Sequence, residues 1–152
     1  MARKIKIYLD TSVISAKFDD RNPDRKEHTE NFFVIIDQYD PYISRITIAE
    51  IENTPDATLK SKMQECVKGF NVLEISKAIE NLAQQYVKGG AVPKKYQEDA
   101  YHIAFAAINE IDYLLSWNFK HVVKQKTRAI VKMVNTINRY RNLDIITPPE
   151  LE

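Results

Sequence analysis

Three acidic residues stand where a folded chain does not usually leave a carboxylate. Asp10 ends the alternating run Lys4-Ile-Lys-Ile-Tyr-Leu9, Glu50 lies among Ile46, Ile48, Ala49 and Ile51, and Asp99 precedes Ile103 and Ala106 at helical spacing. A carboxylate on an apolar stripe points toward the interior. Buried alone it is costly, so it needs a cation, a metal or several hydrogen-bond donors. Three such oxygens from three separate segments suit a hard divalent ion, Mg²⁺ or Mn²⁺. Asn118 adds an amide oxygen, and Ser12 and Ser116 are placed to hydrogen-bond the carboxylates or the water around an ion. Zinc chemistry has no matching spacing: His28, His102 and His121 are scattered and Cys66 has no thiol partner, so each histidine is expected in local packing or at the surface.

Each of these residues also has an ordinary explanation. Asp10 suits a helix N-cap, Asp99 a cap or a salt bridge, Glu50 an exposed helical glutamate, and the serines helix and turn capping. What separates the readings is where the surrounding elements put them.

The apolar pattern predicts strands over Lys4–Leu9, Pro41–Ser44, Asn71–Ile75, Asp112–Leu115 and Ile145–Ile146. Between them it predicts helices from Ser12 to about Phe18, Glu27–Tyr39, Thr47–Asn53, Asp56–Lys68, Ser76 to Gly89-Gly90, Pro93 to about Asn109, and Thr127–Arg141, with Asp19–Asp24 as a loop. Strands alternating with helices imply an α/β fold, a three-layer α/β/α sandwich on a mostly parallel sheet. In such sheets ligands collect at the carboxyl ends of the strands. Asp10 and Ser116-Trp117-Asn118 each follow a strand directly, whereas Asp112 begins one and falls at the opposite edge.

The 152 residues fit one domain, residues 1–152, with 44% hydrophobic content for its core. A single cysteine excludes an internal disulfide, the start Met1–Leu9 holds no apolar run of leader length, and no stretch suits a bilayer, so the expected location is the cytoplasm. Between Ser116 and Leu143 stand Lys120, Lys124, Lys126, Arg128, Lys132, Arg139 and Arg141 with no acid, a local +7. Set against the total of +1, the remainder carries −6. An acidic body with a basic flank can hold a metal in one place and phosphate in another, although a solvated basic helix face accounts for the lysines equally well.

These segments, taken in order, resemble the PIN-domain family and, within it, the VapC-like toxins. Leu9-Asp10-Thr11-Ser12-Val13 is similar to the opening acidic motif, Ile48-Ala49-Glu50-Ile51 to the second, Asp99-Ala100-Tyr101-His102-Ile103-Ala104 to the third, and Tyr113 to His121 to the strand and turn carrying the fourth. Ile145-Ile146-Thr147-Pro148 is similar to family tails. The resemblance implies a Mg²⁺- or Mn²⁺-dependent endoribonuclease with Asp10, Glu50, Asp99 and Asn118 as catalytic and metal-holding residues, cutting to leave 5′-phosphate and 3′-hydroxyl ends. Many relatives carry aspartate where this chain has Asn118, so the fourth position brings no charge here.

Such an ion neutralises a phosphodiester and activates water. Lys120, Lys124 and Lys126 are the expected grip on the RNA backbone, and single-stranded loops the expected substrate. Trp117 is a candidate for base stacking, with a core or edge position as the commoner role of a tryptophan. The toxin branch further implies an antitoxin protein as partner and a homodimer. Two other readings remain open: a PIN-like module that binds RNA or protein without cutting, supported by Asn118, and an aspartate-based phosphotransferase. Against the latter, Ser12 occupies the place of its second aspartate. The glycines, Gly69, Gly89 and Gly90, form no nucleotide-binding fingerprint.

Overall fold

Alternation in the first strand decides which way each side of the sheet looks. In β1 (Lys6–Leu9), Ile7 and Leu9 point into one hydrophobic layer and Tyr8 into the other. The computed structural model describes residues 3–152, so the first two residues of the segment read for a leader lie outside the described residues. Helix α1 (Thr11–Ala16) follows β1 directly, and α2 (Pro23–Ile35) leads to β2 (Asp40–Ser44). Then come α3 (Arg45–Glu52), α4 (Ala57–Cys66), β3 (Asn71–Leu73) and α5 (Lys77–Lys88). The chain continues through α6 (Gln97–Ile108), β4 (Tyr113–Leu115) and α7 (Gln125–Ile137) to β5 (Asp144–Ile146).

The five strands form one parallel sheet in the order β3-β2-β1-β4-β5. Parallel neighbours need helical crossovers, and these cover both faces. Helices α5, α6 and α7 pack on the Tyr8 side with Leu114 and Ile145, while α1 to α4 pack on the Ile7 side with Ile43 and Leu115. The expected three-layer α/β/α sandwich is what the chain forms.

The chain builds outward from β1 in one direction, through β2 to β3, and then returns to the other side of β1 to lay down β4. The carboxyl ends of β1 and β4 therefore flank the point where strand order reverses, which is where open parallel sheets form their binding crevice. Asp10 and Ser116 follow those two strands.

Helix boundaries differ from the sequence expectation for local reasons. Proline has no N–H to lose and a φ suited to the first helical turn, so Pro23 starts α2 inside the predicted loop, four residues before Glu27. Ser44 caps α3 through the Thr47 N–H, with Thr47 bonding back, so that helix begins at Arg45 rather than Thr47. At the other end, Arg139 takes a left-handed φ of 62° and α7 stops at Ile137 instead of Arg141.

Candidate active site

The turn from β1 into α1 places Asp10 at the N-cap, where its Oδ1 accepts from the Ser12 N–H at 3.0 Å and the Ser12 hydroxyl at 2.5 Å. Its other oxygen, Oδ2, accepts from the Ser116 hydroxyl at 2.5 Å across the β1–β4 crevice. Asp10 is thus a cap, yet it is only 4% exposed, deeper than capping requires. Burial pushes its carboxyl up, and the Glu50 charge adds to that. The His102 charge and the two serine hydroxyls pull it back without cancelling the rise.

Glu50 lies on α3 and reaches toward the same crevice, while Glu52 is exposed. Its Oε1 accepts from the Thr11 hydroxyl at 2.6 Å and meets His102 Nε2 at 2.7 Å. Burial works to raise this carboxyl, but the hydrogen bond and charge of His102, with Thr11, outweigh it and hold Glu50 below its ordinary value.

His102 is 2% exposed and sits between two partners. The Tyr8 hydroxyl donates to Ser44 Oγ at 2.8 Å and so presents a lone pair to His102 Nδ1, 2.6 Å away. With the Glu50 carboxylate at Nε2, acceptors face both ring nitrogens, an arrangement that favours the imidazolium. Burial opposes that charge; the Tyr8 oxygen and the Glu50 and Asp10 carboxylates overcome it and raise His102 well above the usual histidine range.

Asp99, in the first turn of α6, accepts from Asn118 Nδ2 at 3.2 Å and lies 3.4 Å from His121 Nδ1. Burial pushes its carboxyl up to about 6. Asp10 and Glu50 add to the rise, and His102 and His121 oppose it. His121 in turn stacks on Tyr96 with ring centroids 4.1 Å apart.

The structure joins Asp10, Asp99 and Asn118 by hydrogen bonds and sets Glu50 beside them through Thr11, the chain neighbour of Asp10. Asp99 joins Asn118, the Asn118 N–H donates to Ser116 Oγ at 2.9 Å, Ser116 donates to Asp10, and Thr11 next in the chain donates to Glu50. Ser12 ties the loop further by accepting the Trp117 N–H at 2.9 Å. Asn118 Oδ1 accepts the His121 N–H at 3.1 Å and closes a turn, which uses one of its two lone pairs. Lys120, Lys124 and Lys126 are exposed and line a cavity of about 530 Å³ beside His121. Trp117 is core, its indole N–H donating to Thr29 Oγ1 at 2.9 Å.

Tyr8, Thr11, His102 and His121 did not figure as site residues in the sequence. The available signal was the spacing of His102, three residues after Asp99 and so on the same helical side. Asp112 lies at the amino end of the sheet as expected, where it takes the Lys6 N–H at 2.8 Å and pairs with Arg3 and Arg141 at 3.1 Å each.

The donor set can be tested for a metal. Among the described residues, no three His, Cys, Asp or Glu side chains stand close enough to grip an ion as they are. The chemistry of the set nevertheless fits a hard cation. Three carboxylates stand near one another, His102 and His121 face them, and two of the three are still pushed toward protonation. An added divalent cation relieves that repulsion.

In comparisons with known proteins, the family model described as PIN domain matches residues 7–118, which run from β1 through the Asn118 turn. None of the curated proteins compared is similar enough to match. No helix among the described residues is long and apolar enough to cross a membrane.

Proposed function

The chain belongs to the PIN-domain family, whose members are in general nucleases, and on that premise we propose that it is a Mg²⁺- or Mn²⁺-dependent endoribonuclease. One observation carries the reading: carboxylates from the β1 end, α3 and α6 stand near one another at the switch point of the sheet, with more negative charge than His102 balances.

Asp10, Glu50 and Asp99 are the residues that hold the ion. When bound, it supplies charge neutralisation for the phosphodiester and an activated water. The chain's own groups do the positioning. Ser12 and Ser116 hold Asp10 in one orientation. Thr11 and His102 share Glu50 Oε1, which leaves Oε2 with no hydrogen-bond partner among the described residues. Asn118 acts chiefly through its N–H groups, steadying Asp99 and the Ser116 turn. Lys120, Lys124 and Lys126 contact the RNA backbone beyond the carboxylates.

The VapC-like toxin role, with an antitoxin that covers the site and a homodimeric assembly, is a finer reading supported by the motif resemblance. Finding a short DNA-binding antitoxin encoded next to this gene would support it, and finding none would favour a nuclease acting alone. The second reading, a PIN module that binds without cutting, draws on the commitment of Asn118 Oδ1 to the His121 N–H.

The deciding experiment is cleavage of a mixed panel of single-stranded and structured RNAs with Mg²⁺, with Mn²⁺ or with chelator. Cutting that needs the ion and leaves 5′-phosphate ends is the expected result. Stable RNA in every condition, with binding retained, selects the non-cutting module.

A further inference from the structure

The two aromatic side chains flanking Asn118 differ in burial. Trp117 is 8% exposed and packed in the core, whereas Phe119 is 51% exposed. Their ring centroids are 6.2 Å apart. Arg25 of α2 lies over both, its guanidinium carbon 5.2 Å from the Trp117 ring centre and 5.6 Å from that of Phe119. Arg3, Arg21, Arg45 and Arg141 each pair with a carboxylate, but among the described residues no carboxylate pairs with Arg25. Phe119 also forms one wall of the 530 Å³ cavity, whose remaining lining includes Lys94, Lys120, Lys124 and Lys126.

A half-exposed phenyl ring with cations around it has a defined chemical complement. The ring offers a flat π-face, and the unpaired guanidinium and ammonium groups call for anions. A nucleotide supplies both, a base to stack and a phosphate to neutralise charge. A double helix keeps its bases stacked on one another, so only an unpaired base can lie on the ring.

We propose that Phe119 and Arg25 form a nucleobase platform next to the carboxylates, which takes an unpaired base of the RNA strand while the adjoining phosphates lie toward Arg25 and the lysines of the cavity. The platform rests on the ribonuclease reading and adds to it the features of substrate that are felt beside the cut: a base that is present, and unpaired.

The test is binding in chelator, where no cutting occurs, of a labelled single-stranded oligoribonucleotide and of an abasic oligomer of the same length. Fluorescence anisotropy is read for wild type, Phe119→Ala, Phe119→Leu and Phe119→Tyr, and thermal melting confirms that each is folded. Wild type is expected to prefer the base-bearing strand about tenfold, the size of one stacked base. Phe119→Ala and Phe119→Leu erase that preference, and Phe119→Tyr, which keeps the π-face, retains it. Arg25→Gln lowers the salt dependence of binding, which the Phe119 variants leave unchanged.

A preference that survives in Phe119→Ala and Phe119→Leu overturns the platform. If wild type cuts RNA with Mn²⁺ yet binds both strands equally, the platform fails and the ribonuclease reading stands. If it neither binds nor cuts single-stranded RNA, the ribonuclease reading fails and the platform with it.

Discussion

The two ends of the sheet treat aspartate in opposite ways. At the amino end, Asp112 accepts a backbone N–H and faces Arg3 and Arg141; burial works against its charge, but these partners hold its carboxyl below the ordinary value. At the carboxyl end, Asp10 and Asp99 feel the charge of Glu50, His102 meets Glu50 and His121 lies beside Asp99, and burial still leaves both aspartates raised. The first arrangement is complete and needs nothing from solution. The second is well ordered by hydrogen bonds and still short of positive charge. That difference separates a carboxylate that stitches a fold from one that is set aside for a ligand.

The largest effect expected from this contrast is on activity. Asp99→Asn should lower RNA cleavage by more than about 100-fold, while Asp112→Asn leaves it within about twofold, read in single-turnover assays with Mn²⁺. Equal losses in the two variants would erase the distinction between the ends of the sheet.

Stability comes next. His102→Leu removes the buried partner of Glu50 and should cost about 2–3 kcal/mol in chemical denaturation, discounted because Glu50 is partly solvated. By contrast, Asp112→Asn should cost about 1 kcal/mol, since its arginine partners are largely exposed.

Acidification should push the two ends in opposite directions. Asp112, with a folded pKa below the reference 3.8, contributes stability that is present above about that value and lost as pH falls further. Asp99, with a folded pKa of about 6, makes the metal-free protein gain stability as pH falls through 6, levelling off below 3.8. Melting curves in chelator should show a smaller gain in Asp99→Asn than in wild type, the remainder belonging to Asp10, whose carboxyl is also raised. Because the proton and the ion compete for one carboxylate, Mn²⁺ affinity should fall about tenfold per pH unit below 6.

The smallest effect concerns Asn118→Asp. It replaces a donor facing Asp99 with a fourth acid, so the variant should melt lower than wild type in chelator and gain more from added Mn²⁺. A variant whose melting temperature responds to Mn²⁺ no more than wild type would show that this position does not face the ion.

Much of this arrangement was legible in the sequence because it follows from periodicity. The five strands and seven helices come from the spacing of apolar residues, and the rule for parallel sheets then selects Asp10 and Ser116 as neighbours. Asp99 was legible because a carboxylate on the Ile103–Ala106 stripe has to face inward. His102 was not singled out because its role depends on Tyr8 and Glu50, residues 94 and 52 positions away, which only the folded chain brings to its two nitrogens. The sequence marks Asn118 as an oxygen donor; that its Oδ1 also accepts the His121 N–H, leaving one lone pair for another partner, is a turn contact that residue type does not reveal. The exposed ring beside the site is Phe119 rather than Trp117. The Trp117 N–H finds Thr29 in the core, a partner 88 residues away.

The most direct test of the central claim is uptake of Mn²⁺ itself, followed near neutral pH by the paramagnetic resonance signal of the free ion. Saturable binding is predicted for wild type and for Asp112→Asn, with loss in Asp10→Asn and Asp99→Asn. Uptake that is equal in all four proteins, or no saturable uptake by wild type, would contradict the account.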